Sequence, residues 1–513
     1  MNETEKPDAP EPTCAPPDRA ALTSALRVLE AIVEDRALLG LLEHDPREQL
    51  LIAAGRVSRP ERNEQRLLAR ELRKQRRQAT RAAVESQLDT ALIRKLREQV
   101  VFVTPPKITP ELQAAEQAPQ DVQLLKSRVC YVCKQPYETL HHFYDQLCGA
   151  CGDFNFAKRS QTADLSGRCA LITGSRVKIG YQAAILLLRA GARVIVTTRF
   201  PKDAARRYAR EPDFGVWGGR LVIYGLDLRH TPSVEAFARH IEQTEPRLDF
   251  MLHNACQTVR RPPGFYGHLL EAEAATSALP SAAQRLLGDH AALPAPNAPL
   301  PAELDALNSQ TGLPTSAALS QLKLIPEDWN RGGQLFPAGQ LDQDEQQIDL
   351  RDINSWRLPL HQVSSVELLE VQLVNAIAPF VLNARLKPLM EKQRTGDKHI
   401  VNVSAVEGQF YRRFKTDKHP HTNMAKAALN MMTRTAASDY IQSGIHMNSV
   451  DTGWVTDEDP AHIATRKRQE NGFHPPLDIV DGAARIVDPI LDGINTGEHL
   501  WGRFLKDYKS APW

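Results

Sequence analysis

Four cysteines stand in two closely spaced pairs in the first third of the chain. Cys130 and Cys133 form one C-x-x-C pair, and Cys148 and Cys151 form a second pair fourteen residues later. Two such knuckles can bring four thiolates to the corners of a tetrahedron, the arrangement that Zn²⁺ prefers. Because four thiolates leave no open coordination position, we expect a structural metal that stabilises a ribbon-like module over 127–160.

Two other interpretations of these cysteines stay open. They could be reduced thiols without a metal, or one pair could be redox-active, although neither pair follows a strand in a βαβ pattern. His141 and His142 lie between the pairs and could substitute for a ligand. The remaining cysteines are scattered along the chain, which fits a reducing compartment better than a disulfide framework.

A glycine-containing segment after an apolar run is the second candidate site. It reads Thr-Gly-Ser-Arg-Val-Lys-Ile-Gly over 173–180 and opens a helical pattern. Glycines permit a tight turn, and the turn brings backbone N–H groups at a helix N-terminus close to a pyrophosphate. The segment therefore predicts a dinucleotide site that includes Thr173, Gly174, Ile179 and Gly180.

Alternating strands and helices surround this segment. The patterns predict strands at 169–173, 193–198, 220–228 and 248–255, and a helix at 179–191. Repeated βα units of this length imply a parallel sheet covered by helices on both faces. The predicted fold class is α/β: a Rossmann-like doubly wound parallel sheet, preceded by a helical N-terminal region and a small zinc ribbon.

From residue 165 to the C-terminus the chain resembles the short-chain dehydrogenase/reductase (SDR) family. The matching motifs follow in the family's order: the 173–180 turn, Asp227-Leu228, Asn254-Ala255, the helix with Asn375, the strand with Ser404, the Thr422–Lys426 spacing, and the turn with Gly453 and Val455. The resemblance implies hydride transfer between a nicotinamide cofactor and a carbonyl or alcohol carbon. It also implies that Asn375, Ser404 and Lys426 line the site.

Arg199, directly after the second strand, bears on the choice of cofactor. An acid at this position would bind a ribose 2′-hydroxyl, whereas an arginine accommodates a 2′-phosphate, so we expect NADP rather than NAD. Lys178 replaces the family's second glycine and, with Arg176, could add positive charge to the phosphate site. The alternative is that Arg199 is an ordinary loop charge.

The family's catalytic tyrosine is replaced by Thr422, four residues before Lys426. A threonine hydroxyl is shorter than a phenol and has no pKa near neutrality, so the usual proton transfer cannot be assumed. Tyr411, in the preceding loop, and His421, next to Thr422, are candidate replacements. Either residue could instead be a plain loop or helix-cap residue.

A long insertion, about 264–364, separates the motifs of Asn254 and Asn375. It begins rich in Ala and Pro and becomes more acidic. It leaves the sheet at the carboxyl end of a strand, where ligands bind in this fold, so it could be a lid or an arm for a partner. Its low apolar content favours partial disorder in its first half.

The 63 Lys+Arg and 62 Asp+Glu residues of the 513-residue chain nearly cancel, which excludes a uniformly charged binding protein. The segment 56–81, however, carries ten Arg and Lys against three Glu. It is either a solvated helix face or a contact to the phosphates of a nucleic acid. We divide the chain into a disordered tail (1–20), a helical region with this segment (21–103), a linker (104–126), the zinc module and the SDR-like domain (161–513).

Two functions remain open on these observations. The first is an NADP-dependent oxidoreductase with a non-standard proton donor and a small-molecule substrate. The second is a catalytically silent NADP-binding protein whose zinc ribbon and basic helix bind nucleic acid or a protein. We expect a cytoplasmic protein without a membrane span, because no window approaches about 20 apolar residues and no signal peptide is evident. Family resemblance also makes a homo-oligomer possible.

Overall fold

The computed structural model describes residues 17–106, 122–274, 279–288, 316–329, 333–412 and 415–513. Its contacts divide the chain into two compact units, Met1–Ala82 and Ala83–Trp513. The predicted tail and linker lie mostly outside the described residues. Where they are described, both end earlier than expected, since a helix begins at Arg19 and a strand at Val122.

The first unit is helical. It contains α1 (Arg19–Glu34), α2 (His44–Ser58) and most of α3 (Arg62–Leu88). No residue of α1 or α2 is buried within the described structure. The basic segment 56–81 runs from the end of α2 into α3, and the unit boundary at Ala82 falls inside the region that the sequence assigned to one helical domain.

The second unit is built on an eight-stranded sheet. Its strands are β3 (Cys169–Thr173), β4 (Arg193–Thr198), β5 (Leu221–Gly225), β6 (Phe250–His253), β7 (Lys398–Ser404), β8 (Ile445–Asp451), β9 (Phe504–Lys506) and β10 (Lys509–Ala511), in the order β10-β9-β8-β7-β6-β3-β4-β5. Only β10 runs antiparallel to its neighbour. This topology confirms the predicted α/β class. The strands predicted at 220–228 and 248–255 are shorter than expected, because their last residues leave the sheet to form loops.

Helices cover both faces of this sheet. The helices described in the second unit after α3 are α4 (Leu92–Arg97), α5 (Gly149–Arg159), α6 (Lys178–Arg189), α7 (Pro201–Ala209), α8 (Phe214–Trp217), α9 (Thr231–Thr244), α10 (Gly267–Ala274), α11 (Ser281–Gln284), α12 (Ser316–Leu319), α13 (Ser365–Gln372), α14 (Ala378–Glu391), α15 (Pro420–Tyr440), α16 (Ala461–Asn471) and α17 (Ile479–Thr496). Alternate residues of each strand enter two separate cores. In β3, for example, Ile172 packs on the side of α6 and α17, and Leu171 on the side of α9, α14 and α15. The two-period alternation of the strands thus explains the doubly wound architecture.

A π-helical turn, Leu373–Ile377, joins α13 to α14. The continuous segment Ser365–Glu391 is long and apolar enough to span a bilayer by length and composition, with a mean hydropathy of 1.5 over its most apolar window, half of which is buried. By length and composition this segment departs from the expectation that no window approaches a membrane span. In the structure it packs against α9 and α15, the position of a core helix of the domain.

The cysteine module begins with the hairpin of β1 (Val122–Val129) and β2 (Pro136–Leu140) and continues into α5. Its small apolar core also contains Leu88 and Ile93, which precede the predicted boundary at residue 127, and Leu477 and Val480 from the start of α17. The module is therefore larger than 127–160, and its core is shared with the sheet domain.

Candidate cofactor cleft and four-cysteine centre

A cleft of about 360 Å³ opens at the carboxyl ends of the strands, where the order of the strands reverses between the parallel neighbours β3 and β6. Ligands bind at this switch point in open α/β sheets. Most of the predicted cofactor residues line it: Gly174, Arg176, Lys178, Ile179, Gly180, Arg199, Asp227, Leu228, Asn254, Ala255 and Val455. Thr173, Lys426 and Gly453 lie outside its wall.

Two glycines let the turn after β3 pack against the end of β6. A Cβ on Gly174, whose φ is +71°, would lie 2.7 Å from the Ala255 Cα. A Cβ on Gly180 would lie 2.3 Å from the Asn254 Nδ2. The same Nδ2 donates to the carbonyl of Gly174 at 2.9 Å, and the Ala255 N–H donates to the Thr173 hydroxyl at 3.1 Å. Thr173 and Asn254 thus hold the turn against the end of β6, and the N–H groups of Gly174 and Ser175 donate to the Thr197 carbonyl of β4 at 2.9 and 3.3 Å.

Lys178 keeps the left-handed conformation of the glycine that it replaces, with φ +58°. Its ammonium group lies 3.9 Å from a carboxylate oxygen of Asp344 in the insertion. Arg176 is buried and donates to Asp203 at 2.7 Å and to Gln346 at 2.9 Å. The charge of Arg176 is therefore already balanced, so it adds less positive potential to the cleft than the sequence suggested.

Arg199 contacts Tyr266, a residue that belongs to no motif. Its Nη2 donates to the Tyr266 hydroxyl at 2.6 Å, and its guanidinium lies 4.5 Å from the centre of the Tyr266 ring. Within the described residues no carboxylate lies within 4.0 Å of it. Burial raises the pKa of the Tyr266 phenol, but Arg199, Arg261 and Arg229 together hold it below its ordinary value.

Asp227 is buried at the bottom of the cleft and is held by Arg229. The Arg229 Nη2 donates to Asp227 at 2.7 Å, and its Nη1 donates to Glu370 of α13 at 3.0 Å. Burial raises the pKa of the Asp227 carboxyl, but Arg229 and Arg199 shift it below its ordinary value. Glu370 also accepts from Arg260, which holds the buried Asp328. A chain of ion pairs thus joins Asp227 in the cleft wall to Asp328 in the insertion.

Asn375 lies in the π-helical turn and contacts the loop after β6. Its Oδ1 accepts the Gln257 N–H at 2.8 Å, and its Nδ2 donates to the Gln257 carbonyl at 3.2 Å. Gln257 lines the cleft. Asn375 therefore contacts the cleft wall through the backbone of Gln257. Single π-helical turns inside α-helices are frequent at functional sites.

Ser404 and Lys426 lie together at the end of β7 but bond to protein groups. The Ser404 hydroxyl donates to the Asn430 Oδ1 at 2.6 Å, and the Lys426 ammonium donates to the Val403 carbonyl at 2.8 Å. Thr422 is one turn before Lys426 on α15, and its buried hydroxyl has no partner within the described structure. An unpaired buried hydroxyl is costly unless a ligand or water satisfies it.

The two proposed replacements for tyrosine occupy different surroundings. Neither Tyr411 nor His421 lines the cleft, and Tyr411 is 54% exposed. His421 is buried, with its Nε2 3.5 Å from the Glu367 Oε1 of α13. Burial raises the pKa of the Glu367 carboxyl, but contacts with His421 and Ser355 shift it below its ordinary value. Glu367 carries no motif, so its pairing with His421 could not be predicted from the sequence.

The end of the insertion covers this region. The Trp356 ring stacks on His419 at 3.8 Å with nearly parallel planes, and the His419 N–H donates to the Leu358 carbonyl at 2.9 Å. The Asn354 Nδ2 donates to the Glu458 carbonyl at 2.8 Å. The insertion thus contacts both the loop before α15 and the loop after β8, and Glu458 of the second loop lines the cleft.

The four cysteine sulfurs cluster as predicted, all within 4.8 Å of one another. The Cys133 and Cys148 sulfurs are 3.7 Å apart, close to the edge of roughly 3.8 Å expected for a tetrahedron with Zn–S bonds of about 2.3 Å. The first pair lies in the β1–β2 turn, and the second at the N-terminus of α5. His141 is not a member, because its Nδ1 accepts backbone N–H groups. The donor set fits Zn²⁺.

Comparisons with known proteins agree with this architecture. A family model described as short chain dehydrogenase matches residues 168–267, and one described as enoyl-(acyl carrier protein) reductase matches 354–476. The uncharacterised protein R665 of Acanthamoeba polyphaga mimivirus is 30% identical over 407 residues, 76% of this chain and 77% of that protein. Human retinol dehydrogenase 14 is 38% identical over 117 residues, 20% of this chain and 35% of that enzyme.

Two solved structures are similar to this chain at low sequence identity. A metagenomic short-chain oxidoreductase in complex with NADP is 18% identical with a TM-score of 0.38, covering 67% of this chain and 99% of that one. The Pseudomonas aeruginosa RhlG/NADP complex is 16% identical with a TM-score of 0.40, covering 67% and 95%. The two family models match the segments that form most of the cleft. The residues between the two matches, 268–353, lie within the insertion. The chain belongs to the short-chain dehydrogenase/reductase family.

Proposed function

We propose that the protein is an NADP-dependent oxidoreductase that transfers hydride between nicotinamide and a carbonyl or alcohol carbon. Family membership supports the reaction class. The choice of NADP rests on one observation: Arg199 points a guanidinium at the cleft that has a phenol but no carboxylate as its partner within the described structure. A 2′-phosphate would supply the missing negative charge.

The cleft residues fit this cofactor. The N–H groups of the turn at 174–180 would bind its pyrophosphate at the start of α6. Arg199 would bind the 2′-phosphate, with Tyr266 orienting its guanidinium. When bound, the cofactor supplies or accepts the hydride. Lys426 would exchange its bond to the Val403 carbonyl for one to the ribose, and Asn375 would hold Gln257 against the cleft.

For the proton we propose His421, oriented by Glu367, in preference to Tyr411. Support comes from the burial of His421 beside Thr422 and from the Glu367 carboxylate, whose Oε1 lies 3.5 Å from the His421 Nε2. Tyr411, by contrast, is 54% exposed. The unpaired Thr422 hydroxyl would hydrogen-bond the substrate oxygen. In this scheme Ser404 supports α15 through Asn430.

Cofactor titration tests the proposal directly. Quenching of tryptophan fluorescence should show tighter binding of NADPH than of NADH, and Arg199→Gln should remove most of that difference. Arg220→Gln, a change of the same kind outside the cleft, is the control. Equal affinity for both cofactors would contradict the assignment of NADP, and no binding of either would contradict the whole proposal.

Turnover separates the proton donors. With a panel of aldehydes and ketones, Lys426→Ala should abolish NADPH oxidation, and His421→Asn should reduce kcat with a changed pH profile. Tyr411→Phe should retain wild-type rates. If the wild type binds NADPH but reduces no member of a broad panel, the catalytically silent alternative is favoured.

A second candidate function is favoured by the basic helix. Arg70, Arg73, Arg77 and Arg81 recur at three- and four-residue spacing, and with Lys74 and Gln78 they line a groove on one face of α3. Within the described structure no carboxylate lies within 4.0 Å of Arg70, Arg73 or Arg77, and Lys74 has only Glu71 at 3.9 Å. We propose that this face binds the phosphate backbone of a nucleic acid.

Salt dependence tests this second function. Single-stranded RNA should bind the full-length protein, with a logarithmic salt slope that falls by about 2 in Arg70→Gln/Arg73→Gln/Arg77→Gln, since each neutralised phosphate contributes about 0.7. The control removes three charges elsewhere in the same unit, as Arg19→Gln/Arg27→Gln/Arg36→Gln. Equal loss in both variants, or no binding at low salt, would exclude the groove as the site.

A further inference from the structure

The cysteine module contacts the turn after β8, which holds Gly453 and Val455, through the side chain of Tyr131. Tyr131 lies between Cys130 and Cys133, and its hydroxyl accepts the backbone N–H of Trp454 at 3.1 Å. Trp454 follows Gly453 in the turn after β8, and Val455 lines the cleft. One hydrogen bond thus joins the metal-binding knuckle to a wall of the cofactor site.

Tyr131 is held from both sides. Its N–H donates to the Gln146 carbonyl at 2.8 Å inside the module. The ammonium groups of Lys134 and Lys506 lie 4.8 and 5.5 Å from the centre of its ring. Lys506 is also 3.7 Å from Asp451 at the end of β8. The phenol is therefore fixed between the module and the strand that carries the turn.

The turn itself has little room to move. Gly453 has φ +76°, and a Cβ there would meet the Leu477 side chain at 2.5 Å and the Tyr131 hydroxyl at 3.5 Å. The Leu477 N–H donates to the Trp454 carbonyl at 3.3 Å. Val455 and Leu477 belong to the same apolar core as residues of the module. The turn is thus packed between the module and the start of α17.

Buried polar contacts attach the module firmly to α17. The Tyr144 hydroxyl donates to Asp481 at 2.5 Å, and Arg159 pairs with Asp478 at 2.7 Å and with Asp481 at 2.9 Å. The Arg485 guanidinium donates to Asn155 at 2.7 Å. Because these contacts and the shared apolar core join the module to α17, the module is not a separately tethered domain.

We propose that Tyr131 is a positioning residue of the cofactor site. Its hydroxyl holds the Trp454 amide, and through it the turn 453–455, in the conformation that forms the cleft wall. The cysteine module then contributes to dinucleotide binding, in addition to any structural role of its metal site. The positioning follows from the contacts alone, whereas its effect on cofactor affinity rests on the function proposed above.

Hydrogen exchange of the full-length, metal-loaded protein tests the positioning without any cofactor. In Tyr131→Phe, exchange of the Trp454 amide should be faster by about tenfold, the effect of losing one hydrogen bond. Tyr137→Phe is the matched control, because the Tyr137 hydroxyl bonds to the Asp145 carbonyl within the module at 2.9 Å. Metal analysis should show equal zinc content in wild type and both variants. Unchanged exchange at Trp454, or equal acceleration in both variants, would overturn the proposal.

Cofactor affinity extends the test. NADPH should bind several-fold more weakly to Tyr131→Phe than to wild type, and with unchanged affinity to Tyr137→Phe. If exchange at Trp454 rises but the affinity does not change, Tyr131 holds the turn without serving the cofactor site, and the proposal fails in that form. If the wild type binds no NADPH, the proposed function fails while the exchange result still decides the role of the hydroxyl.

Discussion

Lys178 holds a backbone conformation that ordinarily belongs to glycine. Its φ of +58° raises the conformational free energy of an L-residue by roughly 1–2 kcal/mol. This strain lies within the turn that the cofactor should contact. The side chain gains a weak attraction to Asp344 of the insertion. Strain at such a position is tolerated because the bonds of Thr173 and Asn254 hold the rest of the turn.

Substitutions at Lys178 should therefore depend on shape more than on charge. Lys178→Val should lower the free energy of unfolding by about 1–2 kcal/mol, because a β-branched residue tolerates the left-handed region poorly. Lys178→Gly should leave it within about 1 kcal/mol of wild type, since relief of strain offsets the added freedom of the unfolded chain. Urea unfolding of the two variants measures both values. A larger loss in the glycine variant would show that the contact with Asp344 dominates.

Asp451 gives a pH dependence with a definite sign. Burial raises the pKa of its carboxyl to about 6, although Lys506 opposes the shift. A carboxyl whose folded pKa lies above its unfolded value destabilises the fold once it must ionise, so stability is lost as pH rises from about 4 to 6. Asp451→Asn should therefore gain stability relative to wild type over this range, by up to about 3 kcal/mol.

Unfolding of wild type and Asp451→Asn in urea at several pH values between 4 and 8 measures this difference. The two free energies should separate between about pH 4 and 6 and run parallel above pH 7. A difference that is constant with pH would show that Asp451 does not titrate in this range. Asp417→Asn, which changes an exposed carboxyl, is the control.

Motifs formed by neighbouring residues could be predicted from the sequence, whereas contacts between distant segments of the chain could not. The turn at 173–180 and the cysteine pairs were predicted because each is specified by neighbouring residues. Tyr266 and Glu367 had no motif. Tyr266 reaches Arg199 from the insertion and Glu367 reaches His421 from α13, and both contacts join segments that are distant in the sequence. Ser404 shows the converse: its motif is local, but whether its hydroxyl faces the cleft or Asn430 depends on tertiary packing.

The packing of α6 against the end of β6 should be sensitive to a single methyl group. In Gly180→Ala the new Cβ would lie 2.5 Å from the Gly174 carbonyl oxygen and closer still to Asn254. Because that backbone cannot yield cheaply, stability should fall by about 1–3 kcal/mol and NADPH affinity should fall with it. Gly215→Ala, where nothing lies within 4 Å, should be nearly neutral in thermal unfolding and in cofactor titration. Equal effects in both variants would contradict the predicted close contact.

For the whole molecule, the shared core around Leu477 predicts that the cysteine module and the sheet unfold together. Removal of zinc by a chelator should lower the melting temperature of the entire second unit, because α17 packs on both the module and α6. Calorimetry should show one transition that shifts, with re-addition of Zn²⁺ restoring it. A separate low-temperature transition of the module, with the main one unmoved, would contradict this coupling.

The insertion also ends the sheet. Strand β5 lies at one margin, where unpaired N–H and C=O groups could recruit another chain. There the Ile223 N–H donates to the Leu286 carbonyl at 2.7 Å, and the Gly288 N–H donates to the Ile223 carbonyl at 2.8 Å. Gly288 allows this approach, because a Cβ would strike the Tyr224 ring. Shortening the insertion to the length of an ordinary family member would therefore expose a strand margin, and the shortened protein should lose solubility through aggregation even if its cleft stays intact.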